Sequence, residues 1–245
     1  MKRLELLAVE GLPEVHPGDD LGLLISEHAK LNPGDAIVIA QKVVSKSEGK
    51  LIDLATVTAG KEATEIASRL IAAPDPRVVQ VVLDESVRVV RSERVLITET
   101  RHGFVCANSG VDHSNVGGRN MLSLLPDDPD ASAARVRERL RELTGVEVGV
   151  IISDTFGRPW RLGIVNVALG IAGLPAAFDL RGSLDDAGEP LHATVLAIAD
   201  DIAASAGVVM GKTTRTPAVI VRGLALGGSG RGRDLIRPVA EDLFR

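Results

Sequence analysis

The chain has 245 residues, of which 45% are hydrophobic and 25% are charged, as in an ordinary globular protein of one large domain or two small ones. A net charge of −5, with four phenylalanines, one tryptophan and no tyrosine, argues against the basic surfaces and stacking platforms of nucleic-acid-binding proteins. The single cysteine, Cys106, excludes an intrachain disulfide and a cysteine-based zinc cluster, and we expect a cytoplasmic protein.

The N-terminal part of the chain predicts strands and a helix separated by turns. No apolar stretch reaches the roughly 18 residues that a membrane-spanning helix needs. The first residues lack the apolar core of a signal peptide and predict a strand instead. Either Asp19 or Asp20 is suited to cap the first helix. The predicted elements are a strand at 4–10, a turn at 11–20, a helix at 20–28, a turn at 32–35, a buried strand at 36–44 and a polar turn at 45–50.

The middle of the chain predicts helices around a hairpin. Asp130 is expected to cap the charged helix that ends at Gly145. The apolar run before Asp154 predicts the most deeply buried strand of the chain. The predicted elements are helices at 60–72 and 76–91, hairpin strands at 94–100 and 103–109, a helix at 131–145, a strand at 146–154 and a polar, glycine-containing segment at 154–163.

The C-terminal part predicts a helix at 191–206, a loop at 207–217, a strand at 218–224, a flexible segment at 227–233 and a short helical tail. Strands and helices do not alternate strictly along the chain. We therefore expect an α+β fold with mixed or antiparallel sheets. No linker or repeat marks a boundary, so 1–245 is treated as a single unit.

The segment CANSGVDHSNVGG, residues 106–118, is the first candidate site. Asp112 and Asn115 offer the hard oxygen atoms that Mg²⁺ or Mn²⁺ prefers. The alternative is a turn stabilised by local Asn, Asp and Ser hydrogen bonds. The five histidines are scattered without metal-ligand spacing, so His113 is expected to have no role in the chemistry.

The segment IISDTFGRPWRLG, residues 151–163, is the second candidate site. Asp154 and Thr155 follow a buried strand and offer a carboxylate and a hydroxyl group to a metal. Arg158 and Arg161 are suited to bind phosphate or carboxylate with paired hydrogen bonds. The alternative is a capped turn with solvated arginines, and Trp160 is expected to have a packing role only.

Two basic segments complete the set. GVVMGKTTRTP, residues 207–217, is not a phosphate-binding P-loop, because the glycine spacing is one residue short and a helix precedes it. Its amides, Lys212 and its hydroxyl groups can still hold phosphates in another geometry. Ser45, Lys46 and Lys50 follow a predicted strand, with a solvated turn as the alternative. These patterns together predict a divalent metal with a phosphorylated ligand, but they leave the reaction open.

The same segments resemble those of the coenzyme F420 gamma-glutamyl ligase family, in the same order, from about Leu4 to Leu224. The resemblance implies a two-part α+β fold in a homodimer, unrelated to P-loop and ATP-grasp ligases. It also implies an enzyme that adds L-glutamate to the unglutamylated deazaflavin coenzyme and extends a gamma-linked glutamate tail through an acyl phosphate, with GTP, Mn²⁺ or Mg²⁺, and K⁺. The matching segments are GLPEVHPGDDL, KVVSKSEGK, ANSGVDHSNVGG, DPDASA, ISDTFGRPWRLGIVNVALGIAG and PAVIVRGL, among which GVDHSNV and SDTFGRPWR are the most specific.

The resemblance assigns roles to individual residues. Asp112 and Asp154 would bind one metal ion, Thr155 would help to bind a second, and Arg158 would act on the anionic substrate or phosphate together with Arg161. Asn115 would contact the nucleotide. The remaining residues of the implied GTP site are Pro13, Glu14, Val15, His16, Ser45, Lys46, Lys50, Gly207, Met210, Gly211, Lys212, Thr213 and Thr214.

The chain departs from the family pattern at two places, and its sequence also permits two other functions. Asp200-Asp201 stands where an Asp-Glu pair is expected, and the segment GKTTRTP differs from the archaeal versions. The acidic loops would also suit a metal-dependent hydrolase of a phosphorylated metabolite, or a nucleotide-binding protein without catalytic activity.

Overall fold

The computed structural model of the chain describes residues 3–113, 116–118, 120–224 and 227–242. The strands are β1 (Glu5–Ala8), β2 (Ala36–Ala40), β3 (Leu51–Asp53), β4 (Ser86–Arg91), β5 (Ile97–Thr100), β6 (Val105–Ala107), β7 (Met121–Ser123), β8 (Gly149–Arg158), β9 (Arg161–Ala172), β10 (Phe178–Asp179), β11 (Val195–Leu196) and β12 (Ala218–Arg222). The α-helices are α1 (Leu21–His28), α2 (Gln41–Ser47), α3 (Lys61–Arg69), α4 (Pro76–Asp84), α5 (Pro129–Thr144) and α6 (Ile198–Met210).

A mixed five-stranded sheet forms the centre of the molecule, in the order β1-β12-β2-β8-β9. β2 and β8 are parallel, with Ala36 opposite Gly149 and Ala40 opposite Ser153. The other three pairs of neighbouring strands are antiparallel. The carboxyl end of β2 therefore lies beside Ser153 in β8, and the segments that follow these two positions meet at one edge of the sheet.

Helices cover both faces of this sheet, which explains why its central strands are apolar throughout. Ile37 and Ile39 point to the face covered by α1 and α5. Ala36 and Val38 point to the opposite face, where α6 packs. Side chains alternate between the two faces of a strand, so both sets are completely buried.

A second group of elements lies between α2 and α5 along the chain and has its own apolar cluster. It contains the pair β3–β7, the three-stranded sheet β4-β5-β6, and helices α3 and α4. Val82, Leu96 and Leu122 are among its most deeply buried side chains. The acidic segment that begins at Cys106, within β6, stays in this group, where Val111 joins the apolar cluster and Asp112 pairs with Ser123 of β7. No helix in the described part of the chain is long and apolar enough to cross a membrane.

The α+β class with mixed and antiparallel sheets is confirmed. The hairpin of β5 and β6, the strand β12 and the end of α5 at Gly145, with φ 69°, were also predicted correctly.

Two predicted elements were too long, because pairing with distant segments decides where they end. The strand predicted at 36–44 stops at Ala40 and residues 41–47 are helical. Ala40 N donates to Pro217 O, and Pro217 has no N–H with which to continue the ladder. The helix predicted at 76–91 stops at Asp84, because Ser86–Arg91 pairs with β5 instead.

The predicted helix at 191–206 was displaced along the chain. It begins only at Ile198, because the residues before it form a ribbon in which β11 pairs with β10. The predicted cap of α5 was also wrong. Asp128 accepts a hydrogen bond from Ala131 N at 3.0 Å, whereas Asp130 accepts hydrogen bonds from the backbone of Ile171 and Gly232.

The polar segment at 154–163 forms no separate loop. β8 and β9 continue through it as a long antiparallel hairpin, with register pairs as far as Arg158 and Arg161. Trp160, for which a packing role was predicted, lies in the turn with φ 57° and is 85% exposed, so it takes no part in the core of this chain.

Candidate functional site

A cavity of about 730 Å³ opens at the edge of the sheet where β2 ends and the outer part of β8 begins. Its volume is within the range of small-molecule sites, and such sites often lie at the carboxyl ends of parallel strands. Most of the residues predicted from the sequence for nucleotide or metal binding line it. They are Pro13, Glu14, Val15, Lys46, Asp112, Asp154, Thr155, Met210, Gly211, Lys212 and Thr213.

Other predicted residues lie outside this lining. Ser45 is completely buried and its hydroxyl group donates to Gln41 Oε1, so it supports α2 from within. Lys50 forms an ion pair with Asp127. His16, Gly207 and Thr214 are not among the lining residues, and Arg158 and Arg161 lie at the far end of the β8–β9 hairpin. Asn115 is outside the described residues.

A tight turn positions Asp112. Asn108 and Ser109 both have left-handed backbone conformations, with φ of 55° and 51°. The Ser109 hydroxyl group lies 2.7 Å from Thr98 Oγ1 in β5, and this contact holds the turn against its own sheet. Asp112 N then donates to Ser123 O at 3.1 Å, and Ser123 N donates to Asp112 O at 2.8 Å. The backbone of Asp112 is thereby fixed, and its side chain forms part of the cavity wall.

Asp154 lies in β8, one residue beyond the irregularity in pairing at Ile152 and Ser153. Burial raises the pKa of its carboxyl group above the usual range. The Thr155 N–H and the charges of Lys212 and Lys42 oppose this effect, while the charge of Asp112 adds to it. The two predicted metal ligands are therefore close enough for the charge of one to act on the other.

Three lysines surround these carboxylates and bind to different parts of the site. Lys42 Nζ donates to Asp112 Oδ2 at 2.6 Å, and Lys46, which is 6% exposed, forms an ion pair with Glu14. Lys42 and Lys46 are four residues apart in α2, so they share one face of the helix.

Lys212 approaches from the other side of the cavity. Its Nζ donates to Thr155 Oγ1 at 2.7 Å. The three lysines together offer positive charge suited to bind phosphate groups.

Several lining residues were not predicted from the sequence. They include Leu12, Gln41, Lys42, Val43, Asn166 and Arg215. Lys42 was missed because a strand was predicted through it. The spacing of Lys42 and Lys46 would have indicated a shared face had a helix been predicted there. Asn166 pairs with Thr155 across the hairpin, a relationship that requires the register of β8 and β9.

The donor set of this site fits one hard divalent cation. Asp112 and Asp154 supply carboxylate oxygens, which suit Mg²⁺ or Mn²⁺ better than Zn²⁺. Within the described residues, no group of three or more His, Cys, Asp or Glu side chains is arranged as a complete metal site. Mg²⁺ is commonly held by one or two carboxylates and by substrate phosphates, so two acidic side chains are sufficient.

Comparison with known proteins identifies the family of this chain. Residues 11–223 match the family described as F420-0:gamma-glutamyl ligase. A protein of Methanocaldococcus jannaschii, named coenzyme F420:L-glutamate ligase, is 45% identical, and the alignment covers 100% of this chain and 98% of that protein. Proteins of the same name from Methanopyrus kandleri and Methanothermobacter thermautotrophicus are 46% and 44% identical, with at least 99% of each chain covered. The chain therefore belongs to the F420-0:gamma-glutamyl ligase family.

Proposed function

We propose that this protein is a GTP-dependent ligase that adds L-glutamate to the unglutamylated deazaflavin coenzyme F420 and extends the gamma-linked tail. The observation that carries the proposal is the shared cavity, in which Asp112 and Asp154 lie among Lys42, Lys46 and Lys212. The names of the full-length relatives support glutamate and coenzyme F420 as the substrates. The charged lining supports a nucleotide triphosphate as the source of energy.

The first step would activate the carboxylate of the coenzyme. A carboxylate is a poor electrophile, so one of its oxygens attacks the γ-phosphorus of GTP. A new P–O bond forms, the bond to the β-phosphate oxygen breaks, and GDP leaves with the bond electrons. The product is an acyl phosphate, whose carbonyl carbon is open to attack. Lys42, Lys46 and Lys212 would offset the negative charge that the nucleotide and the carboxylate bring together.

The second step would form the amide bond. The neutral amine of glutamate attacks the acyl carbon, a C–N bond forms, the C–O bond to phosphate breaks and inorganic phosphate leaves. The amine nitrogen loses one proton in this step, and the released phosphate or the solvent takes it up. Further rounds use the γ-carboxylate of the added glutamate in the same way.

A divalent cation, Mn²⁺ or Mg²⁺, would be held by Asp112 and Asp154 and would neutralise charge on the phosphates. The raised pKa of Asp154 fits this assignment. Burial makes the ionised carboxylate unfavourable, and a cation bound to the carboxylate would offset that cost. We also propose K⁺ as a monovalent cofactor, and Arg158 as a group that acts on the anionic substrate or phosphate.

The proposed assembly is a homodimer. The tip of the β8–β9 hairpin carries Trp160, Leu162 and Ile164, which are 85%, 98% and 57% exposed. These residues form an apolar projection that is interrupted by Arg161, and exposed apolar groups of this kind commonly mark a contact surface. The tip is the far end of the hairpin whose β8 strand carries Asp154 and Thr155, so a partner bound there would contact the same hairpin that lines the cavity.

The direct test is incubation with GTP, Mn²⁺, L-glutamate and the unglutamylated coenzyme, followed by mass spectrometry of the coenzyme over time. We expect stepwise mass gains of one glutamyl residue, with one GDP released for each. Release of GDP without a gain in mass would indicate a hydrolase and contradict the ligase proposal. No release of GDP with all substrates present would favour a nucleotide-binding protein without catalytic activity. Omission of K⁺ from the same assay tests its proposed role.

A further inference from the structure

The hydroxyl group of Thr155 already has a cationic partner within the chain. Lys212 Nζ donates a hydrogen bond to Thr155 Oγ1 at 2.7 Å, and both residues line the cavity. The charge of Lys212 also favours the ionised form of the neighbouring Asp154. A metal ion bound to Thr155 would have to share its oxygen with an ammonium group and lie beside a like charge, which is unfavourable.

The backbone at the end of α6 directs Lys212 toward β8. Gly211 has φ 56° and ψ −167°, a conformation that is open almost only to glycine. The Thr214 hydroxyl group donates to Met210 O and closes the turn that contains Lys212. α6 packs on β9, the partner of the strand that carries Thr155. The turn that contains Lys212 therefore starts at a helix packed on the central sheet, and the Lys212 side chain reaches Thr155 in that sheet.

The charges around the cavity argue for few metal ions. The described lining residues include three carboxylates and four basic side chains: Glu14, Asp112, Asp154, Lys42, Lys46, Lys212 and Arg215. Two of the carboxylates are already bonded to lysines, Glu14 to Lys46 and Asp112 to Lys42. Two divalent ions repel each other and need acidic ligands to offset that repulsion. The described side chains of this lining therefore supply acidic charge for one such ion, and a second ion would depend on the phosphates of the nucleotide alone.

We propose that the ammonium group of Lys212 takes the place of a second cation at Thr155, so that each chain binds one divalent ion, at Asp112 and Asp154, together with the nucleotide. This inference rests on the proposed function, since it concerns the same nucleotide and metal site. It replaces the second metal position that the family resemblance implied at Thr155. Lys212 then has a role beyond that of one more phosphate ligand, because it supplies a fixed positive charge on the β8 side of the cavity.

The test is a count of Mn²⁺ ions bound per chain, which does not depend on turnover. Purified protein with a non-hydrolysable GTP analogue is titrated with Mn²⁺, and free Mn²⁺ is measured from its electron paramagnetic resonance signal. We expect one bound ion in the wild type and two in Lys212→Met, which keeps the length of the side chain and removes its charge. Lys212→Gln serves as a second uncharged variant, and thermal denaturation verifies that each variant is folded.

Two controls distinguish the effect of the Lys212–Thr155 contact on the number of bound ions from the effect of the total charge of the cavity. Arg215→Met removes a different positive charge from the same lining and is expected to leave the count at one. Thr155→Val combined with Lys212→Met removes the oxygen that a second ion would use, and the count should return to one. The conservative variant Lys212→Arg should also bind one ion.

A count of two ions in the wild type would overturn the inference and leave the ligase proposal standing. A count of one in both Lys212→Met and Lys212→Gln would also overturn it, because the lysine would then not stand in for an ion. A wild type that binds neither Mn²⁺ nor the GTP analogue would contradict the proposed function itself.

Discussion

The side chains of Lys42 and Asp112 meet at 2.6 Å between Nζ and Oδ2, although the two residues are 70 positions apart in the chain. This contact joins the start of α2, next to the central sheet, to the acidic segment between β6 and β7 of the second group of elements. The two parts of the molecule thus meet at the cavity. Lys42 is bound to Asp112 and lies close enough to Asp154 to favour its ionised form, so it links the charges of the two carboxylates that we propose as metal ligands.

The first prediction concerns Asp154. Asp154→Asn should lower metal-dependent turnover by at least about 100-fold, because the variant loses a charged ligand for the cation. Steady-state kinetics with varied Mn²⁺ measures this effect. Asp186→Asn, in an exposed turn away from the cavity, is the matched control. Metal-dependent turnover at the wild-type level in Asp154→Asn would refute the metal assignment.

Asp154→Asn has a second expected effect, in metal-free protein. The folded state raises the pKa of Asp154 above its ordinary value of 3.8, so the folded state binds this proton more tightly than the unfolded state does. Stability is therefore lost as the pH rises above 3.8. At neutral pH and with a chelator present, we expect Asp154→Asn to unfold at a higher temperature than the wild type. A lower midpoint would show that the carboxylate does not oppose folding.

The second prediction separates two neighbouring lysines. Lys46 lines the cavity, whereas Lys50 lies outside it and pairs with Asp127. Lys46→Met should raise the KM for GTP at least about tenfold, the cost of one charge-assisted hydrogen bond to phosphate. Lys50→Met should raise the same KM less than about threefold. If the two effects were reversed, the nucleotide would lie nearer to Lys50 than this cavity allows.

The third prediction concerns the opposite edge of the sheet. Asp35, which is 1% exposed, accepts hydrogen bonds from Arg222 Nε at 2.9 Å and from its terminal nitrogen at 2.8 Å. Asp35→Ala would leave the guanidinium group without this partner and should lower the free energy of unfolding by about 2 to 3 kcal/mol. Chemical denaturation measures the loss. The KM for GTP should stay unchanged, since Asp35 precedes β2 and the cavity lies beyond its other end.

The control for this prediction is the ion pair of Asp179 with Arg181, whose side chains are both more than half exposed. Asp179→Ala should leave the denaturation midpoint unchanged. If Asp35→Ala and Asp179→Ala lowered the free energy of unfolding equally, burial would not decide how strongly these ion pairs stabilise the protein.

The fourth prediction concerns Cys106. Burial, together with the negative charge of Asp154, raises the pKa of this thiol from its ordinary 9.0 to about 12. A thiol reagent at about pH 8 should therefore modify the folded protein far more slowly than the protein in concentrated guanidinium chloride. Rapid modification of the folded protein would show that the thiol is accessible or ionised.

The same shift has a consequence for stability at high pH. The folded state holds the thiol proton more tightly than the unfolded state, so the wild type should lose free energy of unfolding as the pH rises above 9.0. Cys106→Ala lacks this group, and the difference in stability between the two proteins should change with pH in that range. Denaturation of metal-free protein at about pH 8 and about pH 10 measures it. If the difference in stability between the two proteins were the same at both pH values, the raised pKa of Cys106 would be contradicted.

The fifth prediction concerns the tip of the β8–β9 hairpin. Leu162→Asp places a charge on the most exposed apolar side chain of the projection and should shift the proposed homodimer toward monomer. Sedimentation velocity over a range of concentrations measures the change. Ile71→Asp is the matched control, because Ile71 is also apolar and exposed but lies in the turn that follows α3. Dimers of equal stability in Leu162→Asp and the wild type would exclude the hairpin as the interface.

The two acidic segments could be predicted from sequence, because each follows an apolar run and its residue types suit metal binding. Asp112, Asp154 and Thr155 do line one cavity. The basic partners were predicted less well. Ser45 proved to be a buried support within α2, and Lys42 was overlooked because a strand was predicted through it.

The sequence by itself determined which segments are buried, since the apolar character of β2, β8 and β12 is a local property that any compact fold must satisfy by burial. It also determined that acidic and basic side chains follow some of these strands. Only the tertiary structure decided where β2 ends, that β8 and β9 continue as a hairpin, and that Lys42 reaches Asp112. These outcomes depend on contacts with segments far along the chain. The local pattern of apolar and polar residues indicates only whether a side chain is buried or exposed to water.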